Sequence, residues 1–263
     1  MSPTDLIEAE GLSPRYERVP TVLVLDTSKS MSVKVRDQDG EPRSRIDQLN
    51  SGIQQFKDEI SAMEGVERTV DVAVVDFGNG VDVIDEFTPL TDWEPTELSA
   101  GGRTPMGDAI MTATDLVDQR KADYRETGIP YKRPLIWILT DGKPTDIDPG
   151  GDDWMSTVRT LDEGEKENQF AAFLITIGDD ADSEVANELH NRRHIDMESG
   201  TFEASFSILS NSVKETFDSE TPEEAEVPEV DSEQDDPIDG DELAQEVTDD
   251  TDEDDSDDDI FDV

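Results

Sequence analysis

The 263-residue chain carries 68 acidic and 21 basic residues, which gives a formal net charge of −47, and it contains no cysteine. This excess of negative charge disfavours nucleic acid and anionic membranes as partners, because both require basic patches. The lack of cysteine excludes disulfides, thiolate zinc sites and cysteine nucleophiles. Residues 1–20 have neither a basic start nor an apolar core, and no apolar run could span a bilayer, so we expect a cytoplasmic protein.

Acidic residues are concentrated at the C-terminal end of the chain. Residues 218–263 hold 24 of the 68 Asp and Glu residues, no Lys or Arg and very few large apolar side chains. Such a segment cannot bury enough surface to order itself. We predict a lead-in over residues 1–17, one folded domain over 18–217 and a disordered acidic tail over 218–263. The acidity of the body resembles that of proteins from extreme halophiles, so we infer a salt-adapted, haloarchaeal host.

The most informative stretch of the sequence is TVLVLDTSKSMS, from Thr21 to Ser32. Its continuous apolar half is typical of a strand that is buried on both faces of a parallel sheet. Asp26, Ser28 and Ser30 follow at alternate positions, so in an extended chain they present three oxygens toward one point. Carboxylate and hydroxyl oxygens suit Mg²⁺ or Mn²⁺, although the same residues could simply cap a turn.

The next segments predict a surface turn, a helix and a hairpin. Polar residues over 34–43 indicate the turn, and apolar residues at helical spacing predict an amphipathic helix that Ser44 opens and that reaches Met63. Two β-rich segments, 69–77 and 81–87, flank a Gly-Asn-Gly turn. This pattern predicts a hairpin, and therefore one antiparallel strand.

A loop rich in glycine and proline, residues 94–107, comes before a helix that we predict from Asp108 to Lys121. Within the loop, Thr104 could approach another loop or merely start the helix. The apolar run RPLIWILT then predicts a second buried strand, which ends on Asp141. Because the carboxyl ends of parallel strands share one edge of a sheet, Asp26 and Asp141 form a convergent pair.

The remaining sequence predicts helices over 154–169, 186–193 and 202–217, and a third apolar strand over 170–177. Strands that alternate with helices indicate an α/β fold. We predict a doubly wound, mostly parallel sheet with one antiparallel edge strand and helices on both faces.

Three of these segments resemble the von Willebrand factor A domain family. DTSKS (26–30) matches the family's DxSxS motif, GGRTPMG (101–107) its threonine loop and LTDGKPTD (139–146) its aspartate loop. The Pro-Thr-Asp extension of the last loop is typical of a subgroup of small cytoplasmic proteins associated with tellurium resistance. The resemblance covers roughly residues 18–217.

This resemblance implies a metal-ion-dependent adhesion site for Mg²⁺ or Mn²⁺. Ser28 and Ser30 would bind the cation directly, Thr104 directly or through water, and Asp26 and Asp141 largely through water. One coordination position would remain open for an Asp or Glu of a partner protein. The function implied is a non-enzymatic scaffold in a signalling or stress-response complex, with a serine/threonine kinase or phosphatase, or an AAA+ ATPase, as the partner.

A metal-dependent phosphohydrolase or phosphotransferase is the alternative, because aspartates at strand ends also hold Mg²⁺ for phosphoryl transfer. The chain has Ser28 where a phosphatase pattern requires a second carboxylate, and it has no glycine-rich loop that ends in GK[ST]. His190 and His194 are spaced as a metal-binding pair, but we expect them to be solvated. Arg103 could attract an anionic ligand or pair with a neighbouring carboxylate, and we favour the pairing.

Overall fold

The computed structural model describes residues 16–36, 41–178, 181–197 and 201–219. These residues form eight strands and five α-helices. The strands are β1 (Val19–Asp26), β2 (Lys34–Arg36), β3 (Pro42–Ser44), β4 (Val70–Phe77), β5 (Val81–Pro89), β6 (Leu135–Thr140), β7 (Ala171–Ile177) and β8 (His194–Met197). The helices are α1 (Arg45–Ser61), α2 (Met106–Thr127), α3 (Asp152–Lys166), α4 (Ser183–Leu189) and α5 (Phe202–Asp218), and two short 3-10 turns span Lys29–Ser32 and Val66–Arg68. Most of the predicted lead-in and nearly all of the predicted acidic tail lie outside the described residues.

Six strands form one sheet in the order β5-β4-β1-β6-β7-β8. All neighbours in this sheet are parallel except β4 and β5, which are joined by the Gly-Asn-Gly turn and pair antiparallel at one edge. The predicted α/β fold, with a mostly parallel sheet and one antiparallel edge strand, is confirmed. Strands β2 and β3 form a separate antiparallel pair where the sequence predicted a surface turn. The centre of that turn lies outside the described residues.

Helices cover both faces of the sheet, which explains why its central strands are continuously apolar. One core lies between the sheet and helices α1 and α5, and the other lies between the sheet and helices α2, α3 and α4. In β1, Leu23 belongs to the first core and Val24 to the second. At Gly52 of α1, an added Cβ would lie 2.2 Å from the ring of Phe206, so the glycine lets α1 and α5 pack closely. Within the described part of the chain, no helix combines the length and the apolar character needed to cross a bilayer.

Two predicted helices differ from the observed ones. The helix predicted over 186–193 is displaced, because α4 spans Ser183–Leu189 with Asp182 as its cap, and an unpredicted short strand, β8, begins at His194. Four residues are too few to show a strand periodicity in the sequence. Helix α2 is longer than predicted at both ends, and it ends where Gly128 adopts a left-handed conformation with φ of 71°.

Candidate metal centre

The central strands β1 and β6 are neighbours, and both deliver polar residues to the carboxyl edge of the sheet. Asp26 is the last residue of β1 and is fully buried. One of its carboxylate oxygens accepts a hydrogen bond from the backbone N–H of Ser28 at 2.7 Å, and the other accepts one from the hydroxyl of Thr140 at 2.6 Å. Both oxygens of Asp26 are therefore held by neutral donors.

The two serines connect β1 to the aspartate loop that follows β6. The 3-10 turn after Ser28 brings the Ser30 Oγ within 2.8 Å of the Ser28 Oγ. The Ser30 hydroxyl donates to Asp141 Oδ1 at 2.7 Å. Since a hydroxyl has only one hydrogen, Ser28 must be the donor to Ser30. Four of the five predicted metal residues are thus joined in one hydrogen-bonded chain.

Arg45, which the sequence analysis did not single out, contacts the same cluster. It is the first residue of α1, is 5% exposed, and its Nη1 donates to Asp141 Oδ2 at 2.8 Å. Ser44 caps α1 through its Oγ, which accepts from the N–H of Asp47 at 3.3 Å. With two buried carboxylates and one buried guanidinium, the cluster retains one uncompensated negative charge.

Thr104, the fifth predicted residue, lies against the aspartate loop without a hydrogen bond from its side chain to the other four. Its Oγ1 is 3.8 Å from the position that a Cβ on Gly142 would occupy. The backbone N–H of Thr104 donates to the hydroxyl of Thr145 at 3.1 Å, and the N–H of Thr145 donates to the carbonyl of Thr104 at 2.9 Å. These two bonds hold the threonine loop beside Asp141.

Asp146 strengthens the same connection. Its carboxylate accepts hydrogen bonds from the N–H groups of Gly107 and Asp108, at 3.3 and 2.9 Å, in the first turn of α2. No side chain of the threonine loop caps this helix, because the N-cap position is Pro105. The Pro-Thr-Asp extension therefore supplies a helix cap from another loop, which also explains why α2 begins two residues earlier than predicted.

The opposite side of the threonine loop packs against the turn between β4 and β5. The N–H of Gly101 donates to the carbonyl of Thr27 at 2.7 Å, and the N–H of Arg103 donates to the carbonyl of Gly78 at 2.8 Å. Gly102 has a φ of 81°, and a Cβ there would lie 2.2 Å from the carbonyl oxygen of Gly78. Only glycine fits at this position, for both conformational and steric reasons.

Burial is the main influence on Asp26 and raises the pKa of its carboxyl to about 6, from an ordinary value of 3.8. The hydrogen bonds from Thr140 and Ser28 oppose this rise, whereas the negative charge of Asp141 adds to it. The protein alone only partly stabilises the charge of Asp26. A bound cation would supply the missing compensation.

The chemistry of these donors fits a hard divalent cation. Among the described residues, no group of three or more His, Cys, Asp or Glu side chains could hold a metal. The cluster instead combines two carboxylates with hydroxyl oxygens, which suit Mg²⁺ or Mn²⁺. All four carboxylate oxygens already accept bonds from protein groups, whereas the hydroxyl oxygens of Ser28 and Ser30 keep lone pairs for a cation. This pattern suits direct contact through the hydroxyls and contact through water for the carboxylates.

The prediction that both histidines are solvated is wrong for His190, which is buried, whereas His194 is half-buried. His190 is 3% exposed, its Nε2 lies 2.8 Å from the carbonyl oxygen of Ala172, and burial lowers its pKa. His194 belongs to β8, and its Nε2 lies 2.9 Å from the hydroxyl of Thr176. The Nε2 of each histidine thus has a partner on β7, and neither residue contacts the cluster at Asp26.

The fold and the cluster define a doubly wound α/β domain with hydroxyl and carboxylate oxygens gathered at the carboxyl edge of its sheet. Residues 21–143 match the family model described as von Willebrand factor type A domain. This stretch, just under half of the chain, is similar to that family, and it includes all five predicted metal residues. No curated protein sequence matches the chain.

Several solved structures resemble this fold at low sequence identity. The PilB minor pilin from Streptococcus sanguinis is 14% identical, with a TM-score of 0.52, and the match covers 76% of this chain and 62% of the pilin chain. The vWF domain of the type V pili tip protein Mfa5 from Porphyromonas gingivalis is 10% identical, with a TM-score of 0.52 and coverage of 78% and 98%. The conserved hypothetical protein BatB from Bacteroides thetaiotaomicron is 15% identical, with a TM-score of 0.50 and coverage of 76% and 100%. At these identities the likeness concerns the fold alone.

Proposed function

We propose that this chain is a non-enzymatic protein-binding module that captures an acidic residue of a partner protein through a divalent cation. Asp26, Ser28, Ser30, Thr104 and Asp141 would hold the ion, which is Mg²⁺ or Mn²⁺. Domains of the von Willebrand factor A type are generally non-enzymatic interaction modules, and this general role agrees with the proposal.

The observation that carries the proposal is the hydrogen-bonded chain from Ser28 through Ser30 to Asp141. It brings two hydroxyls from the β1 loop and one carboxylate from the β6 loop to a single point. When bound, the ion would offer one open position to a carboxylate oxygen. The serines would contact the ion, and the two aspartates would orient its water ligands and balance its charge.

The surroundings of Ser28 favour binding over phosphoryl transfer. In the alternative enzyme, the residue two positions after Asp26 would be a second carboxylate, but here it is a serine. Its hydroxyl bonds to another serine, Ser30, and no base among the described residues activates it. A nucleophile requires such a base within hydrogen-bond reach.

The identity of the partner is proposed from the family resemblance. We propose a serine/threonine kinase or phosphatase, or an AAA+ ATPase, within a cytoplasmic signalling or stress-response complex. The relation to tellurium-resistance-associated proteins and the haloarchaeal host belong to the same proposal. Uniform acidity over the body and the tail supports the salt-adapted host.

Metal-dependent stabilisation tests the site directly. A ligand that binds only the folded state at 100 times its Kd raises the free energy of unfolding by about 2.7 kcal/mol. We therefore expect Mg²⁺ or Mn²⁺ to raise the melting temperature of the chain above its value in EDTA. Asp26→Ala should remove this response, whereas Asp118→Ala, at a 71% exposed side chain of α2, should preserve it. A response that survives both Asp26→Ala and Asp141→Ala would refute the site.

Partner capture tests the proposed function separately from metal binding. In a pull-down, we expect Thr104→Ala and EDTA each to weaken capture, while Thr104→Ala leaves the fold intact. Binding that is insensitive to both would mean that the partner does not coordinate the metal.

A further inference from the structure

Each of the three loops at the candidate metal centre carries one exposed basic residue. Lys29 lies between the two metal-site serines, Arg103 directly precedes Thr104, and Lys143 follows Gly142. Within the stretches 26–30, 101–104 and 140–143 the only acidic residues are Asp26 and Asp141, and both are buried. The exposed charges of these three stretches are therefore all positive, in a chain where acidic residues outnumber basic ones by 68 to 21. Asp146, further along the aspartate loop, is half-buried and accepts hydrogen bonds from Gly107 and Asp108.

These cations are poorly neutralised by the protein itself. Within the described ranges, no carboxylate pairs with Lys29 or Arg103, so the expected pairing of Arg103 with a neighbouring carboxylate is not observed. Lys143 Nζ lies 3.5 Å from Asp182 Oδ2, but its side chain is 68% exposed, and exposed pairs of this kind contribute little. Unpaired cations on so acidic a protein are available to an anionic ligand.

The backbones of the three residues lie near one another because their chain neighbours are in contact. Ser30, next to Lys29, donates to Asp141 at 2.7 Å, and the hydroxyl of Thr104, next to Arg103, lies beside Gly142. Consecutive Cα atoms are about 3.8 Å apart, so each cation starts one residue away from this shared contact. We call Lys29, Arg103 and Lys143 the cationic rim.

We propose that the cationic rim recognises an acidic segment of a partner protein, with several carboxylates close together in sequence. One carboxylate would occupy the metal position, so the inference rests on the proposed function, and its neighbours would lie over the rim. An extended segment rises about 3.3 Å per residue, so three to five residues would span the three loops. A long polyanion such as nucleic acid would extend beyond the rim onto an acidic surface, which would repel it.

Two synthetic peptides distinguish the contribution of the cationic rim to binding from that of the metal. One contains a single Glu between Gly and Ser residues, and the other contains the same Glu with two Asp residues on each side. At fixed Mg²⁺ and about 0.1 M KCl, where charges act over about 10 Å, we expect the full chain to bind the second peptide more tightly. Exposed charge pairs are each worth roughly a threefold change in Kd, so the triple variant Lys29→Gln, Arg103→Gln, Lys143→Gln should weaken binding of the acidic peptide by at least about tenfold.

The single-Glu peptide should lose less than about twofold in the triple variant, because it gains little from the rim. Arg125→Gln is the matched control, since Arg125 is an exposed cation on α2 about 30 Å along the helix from its first residue. It should leave both affinities unchanged. Thermal unfolding with and without Mg²⁺ verifies that every variant folds.

The outcomes distinguish the rim from the proposed function. Equal loss for both peptides in the triple variant, or an equal effect of Arg125→Gln, would overturn the rim. Binding of inorganic polyphosphate as tight as that of the acidic peptide would overturn recognition of a carboxylate segment. If EDTA left both affinities unchanged while the triple variant still weakened only the acidic peptide, the rim would stand and metal-bridged capture would fail.

Discussion

Two buried aspartates lie at opposite ends of the neighbouring strands β1 and β4, and they have opposite electrostatic surroundings. Asp71 lies near the start of β4 and accepts hydrogen bonds from Arg18, from Arg120 at 2.8 Å and from the hydroxyl of Tyr124. Asp26 lies at the end of β1 and receives only a backbone N–H and a hydroxyl. Both carboxylates are fully buried, so the difference lies in their partners.

The pKa values of the two carboxyls move in opposite directions. Burial alone would raise the pKa of Asp71, but the Arg18 guanidinium, the Tyr124 hydroxyl and the charge of Arg120 together bring it below its ordinary value. At Asp26, burial prevails and the pKa rises to about 6. A buried carboxylate with several cations around it stabilises the fold, whereas one with neutral donors and a second carboxylate nearby has capacity for a cation.

The largest expected loss of stability comes from Asp71→Asn, which removes the carboxylate that is paired with cations. Removing the charge leaves the Arg18 guanidinium buried without its anion, and breaking a buried pair typically costs about 3–5 kcal/mol. Urea unfolding at pH 7 should show a loss of this size. Asp118→Asn removes a carboxylate whose side chain is 71% exposed, and the buried Lys121 keeps its hydrogen bond to Gln169 Oε1 at 2.6 Å, so this variant should lose clearly less stability than Asp71→Asn. Similar losses for the two variants would contradict the structural role of Asp71.

Asp26→Asn should have the opposite effect and raise the free energy of unfolding in EDTA. In the folded state the Asp26 carboxyl binds its proton more tightly than in the unfolded state, so the wild type loses stability as pH rises from about 4 to about 6. Asp26→Asn has no carboxyl that titrates at this position, so it does not lose this stability. In EDTA above pH 6 it should therefore be more stable than the wild type by about 1–3 kcal/mol, at about 1.4 kcal/mol per pKa unit.

Denaturant unfolding in EDTA at several pH values checks this expectation, and the advantage of Asp26→Asn should vanish below about pH 4. The same variant should also lose the Mg²⁺ response. A variant that is less stable than the wild type at pH 7.5 in EDTA would show that Asp26 serves the fold in the same way as Asp71.

Asp146→Ala sharpens the comparison with a third carboxylate, whose donors are backbone N–H groups at the start of α2. A helix cap of this kind contributes about 0.5–2 kcal/mol, so we expect a loss in that range. Because Asp146 also ties the aspartate loop to the threonine loop, the variant should bind Mg²⁺ more weakly than Asp118→Ala does. Titration calorimetry measures that difference. Equal Mg²⁺ affinities for Asp146→Ala and Asp118→Ala would mean that Asp146 only caps the helix.

The sequence predicts the main strands and the convergence of the candidate site because both have local signals. Strand β1 and the run before Asp141 are continuously apolar, and each ends abruptly on an aspartate. The charged residues that pair with the buried aspartates are distant from them in sequence. Arg45 is 96 residues from Asp141, and Arg18 is 53 residues from Asp71. Such pairings leave no pattern in a single sequence, so neither ion pair could be predicted.

Strand β8 and the histidines were missed for a related reason. His194 begins a four-residue edge strand whose pairing with β7 is set by tertiary contacts and not by its own sequence. From the sequence alone, His190 is a polar residue near the end of a predicted helix and is expected to be exposed. The fold instead buries it against the carbonyl of Ala172. Burial of a single polar side chain depends on what the rest of the chain packs over it.

The contact between Gly102 and Gly78 also limits how such a domain can be re-engineered. The threonine loop has no room for a side chain at this point, and the adjacent Arg103 N–H bonds to Gly78 itself. A threonine loop grafted alone from another domain would meet a turn shaped for a different backbone. The loop and the β4–β5 turn form one transplantable unit, so changes in ligand preference should be accessible by exchanging the pair together or by altering exposed side chains such as Arg103.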